Sequence, residues 1–350
     1  MTAGTLLIIV GGVALLILGH EAGHFLAAKL AGLRVYEFGI GFPPRLWAKK
    51  IGETEYSVNL LPFGGFVRIA GESSADNRLW ERKKDRKRTL AAQPLSIKSA
   101  VFLAGIAANI LLCWIFLTAA LATGSPQYVI ISNVQPHSPA AAAGIQQFDV
   151  IEGFPSGKAF IQFIDQHKGE QISFVVRRGQ ERHTISVVPR VEHQKNEGAI
   201  GVEIADTGAA ALPLHKAILR GFELTLSLFW FTIAAMGSLL QNLILHGKIA
   251  AEIVGPIGIV NVAYKSLQIG FVYFMNLLAL ISVNLAVINL LPFPALDGGR
   301  FLLAVAEKIK GNPIPKKIEA SINAVGFILI ILLMILITVR DVARIFLGGG

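Results

Sequence analysis

The hydrophobic positions of this chain are gathered into long, nearly unbroken blocks rather than spaced along one face of each element. A helix of a soluble domain alternates apolar and polar residues with a period near 3.6, because only one stripe meets a core. Residues 5–31, 97–122, 271–291 and 320–339 instead are apolar on almost every side. Each is long enough to cross about 30 Å of hydrocarbon as a helix of about 20 residues, so four transmembrane helices are expected. A fifth block, 217–245, carries Arg220, Glu223 and Gln241 near its ends, His246 just beyond, and Gly221 and Gly237 inside. It reads as an amphipathic or re-entrant helix. Residues 5–18 have the apolarity of a secretory leader, yet Met1–Gly4 bear no basic side chain and no small-residue cleavage site ends the run. The first block is therefore read as a retained span.

Between 127 and 204 the pattern changes. The runs "YVIISNV", "QISFVVRRG" and "RHTISVVP" are β-rich and separated by turn residues, with one helix near 159–167. Four regions follow: 1–125 and 271–350 as membrane parts, 126–205 as an inserted α/β module, and 206–270 as an amphipathic or re-entrant stretch.

Composition agrees with the membrane reading. The chain has 350 residues, 53% of them hydrophobic and 16% charged, against about 25% charged in ordinary soluble domains. The net charge of +9 would suggest nucleic acid in a soluble chain. Here the basic residues stand between apolar blocks, so no nucleic-acid partner is expected and the charge serves orientation. Arg78, Arg82, Lys83, Lys84, Arg86, Lys87 and Arg88 separate the first two blocks, and Arg300, Lys308, Lys310, Lys316 and Lys317 the last two. Both segments are expected in the cytoplasm, with the inserted module outside. Cys113 is the lone cysteine, so disulfides contribute nothing.

Chemistry enters inside the first block. "GHEAGHF" (19–25) sets His20 and His24 four residues apart, on one face of a helix, with Glu21 between them. That spacing lets two imidazoles share one Zn²⁺ while the glutamate activates water. Of eight histidines, only these two lie in an apolar span, where ionisable groups are costly to keep. A catalytic zinc needs a third ligand. Asp297 is the candidate: it follows Pro292 and Pro294 and precedes Gly298 and Gly299, so the helix breaks just before it. The plain alternative is a helix C-cap with a surface aspartate. Topology favours the ligand, because both motifs fall in the cytoplasmic halves of inward-running spans.

"GHEAGHF" together with "NLLPFPALDGG" (289–299) resembles the two signatures of the site-2 protease family of intramembrane zinc metalloproteases. "EFGIGFPPRL" (37–46), "EYSVNLLPFGGFVRIAGE" (55–72) and "GPIGI" (255–259) are similar to that family's Gly-x-Gly strand, membrane re-entrant β-hairpin and pre-span motif. Within the family the chain resembles the bacterial RseP group. "VQPHSPAAAAGIQQFDVIEGF" (134–154) resembles a PDZ signature, with Phe148 where glycine usually precedes Asp149. One PDZ-like module stands where the best-known members of that group carry two.

The resemblance implies His20, His24 and Asp297 as ligands of one Zn²⁺, and Glu21 as general base. It implies Asn289 as a substrate-orienting group and Asn284 as a neighbour of less defined role. The hairpin, through Tyr56, Asn59, Gly64, Gly65 and Phe66, would hold the substrate extended. Expected partners are single-span membrane proteins such as anti-sigma factors or remnant signal peptides, membrane lipids, and a peptide terminus at the PDZ-like groove. The expected location is the bacterial cytoplasmic (inner) membrane. The expected fold is a polytopic α-helical membrane protein with about four transmembrane helices, a membrane re-entrant β-hairpin and one extracytoplasmic PDZ-like α/β domain. Two other classes are compatible with some features: a metal-binding transporter, whose further polar residues would be Asn109, Thr118 and Asn323, and an inactive membrane scaffold.

Overall fold

A computed structural model of the chain describes residues 2–72, 86–192, 198–246, 255–312 and 314–346. Arg78, Arg82, Lys83 and Lys84 of the first basic cluster lie outside the described residues. The chain forms two units, one of Met1–Leu117, Gly221–Asn261 and Leu278–Gly350, the other of Thr118–Arg220 and Val262–Leu277.

The first unit opens with helix α1 (Ala3–Leu30), whose first turn is capped by the Thr2 hydroxyl accepting from the Thr5 amide. Strands β1 (Val35–Ile51) and β2 (Thr54–Ile69) follow and pair as an antiparallel hairpin. Its register is unusual. Residues 37–40 lie opposite 65–68 on one side and 55–58 on the other, while 47–51 lie opposite 54–58. The two long strands thus bend into four segments, with 45–51 and 65–69 at the edges. Glu37, 4% exposed, anchors the bend by accepting from Arg45 at 2.6 Å and from the Ser57 hydroxyl at 2.7 Å. The turn between the strands is held from outside, where Arg88 donates both guanidinium nitrogens to the Glu53 carboxylate.

Helix α2 (Leu95–Thr123) packs closely against α1: a side chain on Gly23 would collide with the Ala104 carbonyl. Further along, Cys113 and Leu117 are buried with Ala279 and Val283.

The other unit holds a five-stranded sheet in the order β6-β5-β4-β3-β7. Its strands are β3 (Ser125–Val134), β4 (Val150–Ile151), β5 (Ile172–Arg178), β6 (Glu181–Val187) and β7 (Val202–Ala209), with helices α3 (Pro139–Ala142) and α4 (Gly157–Gln166) between them. Val129, Ile131, Phe160, Phe174 and Val176 form its core. Phe148 takes a left-handed backbone (φ 71°), the conformation a glycine would adopt without strain. Its ring is covered by the Lys265 ammonium at 5.2 Å.

The remaining helices are α5 (Leu214–His246), α6 (Pro256–Ile269), α7 (Phe271–Leu290), α8 (Asp297–Lys310) and α9 (Lys316–Phe346). Two expectations change here. Block 217–245 lies within one continuous 33-residue helix, which removes the re-entrant alternative and leaves the amphipathic one. Five described helices rather than four are long and apolar enough to cross a membrane by length and composition. The reason is local: each interior glycine costs a helix only about 1 kcal/mol relative to alanine, too little to break it. The polar residues after Asp297 also form a helix, α8, with the left-handed Gly311 (φ 75°) as its C-cap.

Candidate metal centre

On α1 the four-residue spacing stacks His20 over His24, with ring centroids 4.7 Å apart and planes at 86°. Their Nε2 atoms lie 3.2 Å from one another. Asp297 comes from a break in the helical backbone. Pro292 and Pro294 lack amide protons, α7 ends at Leu290, and α8 begins at Asp297. Gly298 makes the turn possible, because a Cβ there would strike the carbonyls of Leu290 and Leu291. The turn is braced from α9, where Asn323 Oδ1 accepts from the Ala295 amide at 3.2 Å. Asp297 therefore sits in the first turn of a helix, where a negative charge meets the positive end of the backbone dipole.

These elements bring Asp297 Oδ2 to 3.1 Å from Nε2 of both His20 and His24. Among the described residues this is the one group of three such donors close enough to share an ion. The triangle suits zinc: a tetrahedral ion about 2.0–2.2 Å from nitrogen and oxygen donors spaces them about 3.3–3.6 Å apart, close to the separations here, and three protein donors leave a fourth position open.

Both imidazoles are gripped from α2 at their other nitrogen. His24 Nδ1 donates to the Val101 carbonyl at 2.8 Å, and His20 Nδ1 lies 3.3 Å from the Asn109 side-chain amide. Gly105 lies between, and a Cβ there would collide with both rings.

Glu21 lies within electrostatic reach of all three donors and of Glu72. Gly65 backs onto it, since a Cβ on Gly65 would stand 3.4 Å from Glu21 Cγ. Gly64 is left-handed (φ 119°). Phe66 lies over Gly39 and Tyr56 near Phe25 and Phe38, inside the hairpin and against α1. Asn59, 6% exposed, donates to the carbonyls of Ile40 and Gly41 at 3.2 Å each, so its amide shapes the hairpin. Asn284 accepts from Thr232 on α5 at 3.3 Å, and Asn289 lies at the end of α7 just before the break.

Sequence reasoning missed Gly105 and the Glu72–Arg300 ion pair beside the centre. It noticed Asn109 and Asn323 only as rare polar residues in apolar blocks. That rarity was the available signal, and both turn out to support this site.

Comparison with known proteins matches residues 8–333 to the family model described as Peptidase family M50. The candidate zinc metalloprotease CPE1693 of Clostridium perfringens is 34% identical over 333 residues, covering 93% of this chain and 95% of that protein. Two proteins named zinc metalloprotease RasP, from Geobacillus kaustophilus and Oceanobacillus iheyensis, are each 29% identical. They cover 95% and 94% of this chain and 96% of their own lengths.

Proposed function

Because the chain belongs to peptidase family M50 and is a zinc metalloprotease, we propose that it cuts peptide bonds within the membrane, in the transmembrane segments of single-span proteins. The observation that carries this reading is the triangle of His20, His24 and Asp297 donors, two of them inside an apolar membrane-length helix.

In this reading His20, His24 and Asp297 hold the ion. Zinc, when bound, polarises the scissile carbonyl and lowers the pKa of water toward about 7. Glu21 takes the proton of the attacking water and returns it to the leaving amine. Asn289 orients the substrate carbonyl, with Asn284 steadied behind it by Thr232. A helical substrate must first unwind, and its exposed amides then need partners that hydrocarbon cannot supply. Segment 65–69 can supply them, because its outer edge pairs with no other strand among the described residues and Gly65 abuts Glu21. The substrate adds as a further strand.

The same reading assigns the protein to a bacterial cytoplasmic membrane, with residues 78–88 and 300–317 inside. Helix α5 then packs beside α7 as deep as Asn284, which Thr232 contacts, without completing a span of its own. A full crossing by α5 would have to be reversed before Phe271, and the 14 residues of α6 span only about 21 Å against about 30 Å of hydrocarbon. The inserted module, read as PDZ-like, stands outside and offers the β7 edge to a peptide terminus. Substrates on this view are anti-sigma factors or remnant signal peptides whose outer portions have been removed.

The test is Glu21→Gln in proteoliposomes with a single-span substrate. Cleavage should fall by at least the factor of about 10²–10⁴ associated with a general base, while zinc content stays at the wild-type level. Undiminished turnover would refute the assignment.

A further inference from the structure

The metal centre leaves one buried amide to be explained. Asn109, 0% exposed, stands in the middle of α2, where a leucine of similar size would pack without needing polar partners. One end of its side-chain amide lies 3.3 Å from His20 Nδ1. The Oδ1 end has no hydrogen-bond partner among the described residues. Its backbone carbonyl is separately engaged, accepting from the Ser282 hydroxyl at 2.8 Å.

The chemistry of the centre orients this amide. A neutral histidine offering Nε2 to a metal carries its proton on Nδ1, and that N–H requires an acceptor. A half-turn of the Asn109 amide exchanges its nitrogen and oxygen in place and presents Oδ1 to His20 Nδ1. His24 has the matching arrangement, its Nδ1 donating to the Val101 carbonyl two turns earlier on the same helix. Each histidine is then fixed by an acceptor from α2, one from the backbone and one from a side chain.

We propose that Asn109 is a positioning residue for the zinc centre: its amide oxygen holds the Nδ1–H of His20 and so fixes the ring that presents Nε2 to the metal. This rests on the reading of His20, His24 and Asp297 as the ligands. A packing role accounts for less, since a buried amide with an unpaired end costs free energy that an apolar side chain avoids.

The test titrates the full-length chain in detergent with zinc against a chromophoric chelator, and measures thermal unfolding of the metal-free form alongside. Asn109→Leu should raise the zinc Kd about 10–100-fold, the usual effect of losing an outer partner of a ligating histidine. Its metal-free melting temperature should stay level or rise, because the unpaired polar atom is gone. Asn109→Asp keeps an acceptor toward Nδ1 and should restore tight binding. Equal zinc affinity in wild type and Asn109→Leu overturns the proposal. So does a folded Asn109→Asp that binds as weakly as Asn109→Leu. A wild-type chain that takes up no zinc would instead refute the metal centre itself, and this inference with it.

Discussion

Gly105→Ala adds a single methyl group at the point where α2 meets the two histidines. The added Cβ would stand 2.6 Å from Cε1 of His20 and nearer still to Nε2 of His24, whereas ordinary contact begins at 3.4 Å. Both rings must therefore retreat, His20 by about 0.8 Å and His24 by more, against a tolerance of about 0.2 Å in metal–ligand distance. Neither ring is free to do so, because His24 Nδ1 is bonded to Val101 and His20 Nδ1 abuts Asn109. The effect on the metal-free fold is small by comparison. Alanine is favoured over glycine by about 1 kcal/mol in a helix, and overpacking costs about 1–3 kcal/mol, so the net loss is about 0–2 kcal/mol. Zinc affinity should fall by more than the factor of about 100 that marks the upper range for loss of an outer partner. The assay is zinc per chain after dialysis against a graded chelator series, read with proteolytic turnover and metal-free melting temperature. Wild-type zinc retention with undiminished cleavage would show that α2 does not confine the histidines, and the packing argument would fail.

The hairpin supplies two further predictions. Gly65→Val places bulk 3.1 Å from Leu18 Cδ2 and 3.4 Å from Glu21 Cγ. It should slow cleavage while zinc content is unchanged, and undiminished turnover would remove segment 65–69 from the substrate path. Glu53 is held below the ordinary carboxylate range, chiefly by its hydrogen bonds from Arg88. Its contribution to the hairpin turn is thus present above the unfolded carboxylate pKa of about 4.3 and is lost as pH falls through the lower folded value. The protection factors of the amides at 51–54, exchange corrected for its intrinsic pH dependence, should fall below that range in wild type, and Arg88→Gln should show the lower protection already at neutral pH.

Some of the site could be read from short stretches because its causes are local. A four-residue spacing puts two histidines on one helical face whatever surrounds them. Two prolines and a glycine pair between 292 and 299 break a helix for steric and hydrogen-bonding reasons confined to those residues. The length of an apolar block sets whether it can span a bilayer. The same locality left 217–245 between an amphipathic and a re-entrant helix, and only the continuous α5 removed the second. The bent register of the hairpin was hidden too, since residues 37–40 pair on both sides through bulges that no simple alternation encodes.

What the sequence determined by itself, then, was the chemistry and its depth: a His-Glu-His set inside an apolar block, and an acidic residue at a forced break. Tertiary structure alone decided that Asp297 meets the histidines across 273 positions, that Asn109 faces His20, and that Gly105 lets the helices close. The physical reason lies in the solvent. Lipid is as apolar as a packed helix interface, so the stripe that tells a soluble helix which side faces its core is missing here. Which faces meet is settled instead by small residues that allow close approach and by buried polar groups that must find one another.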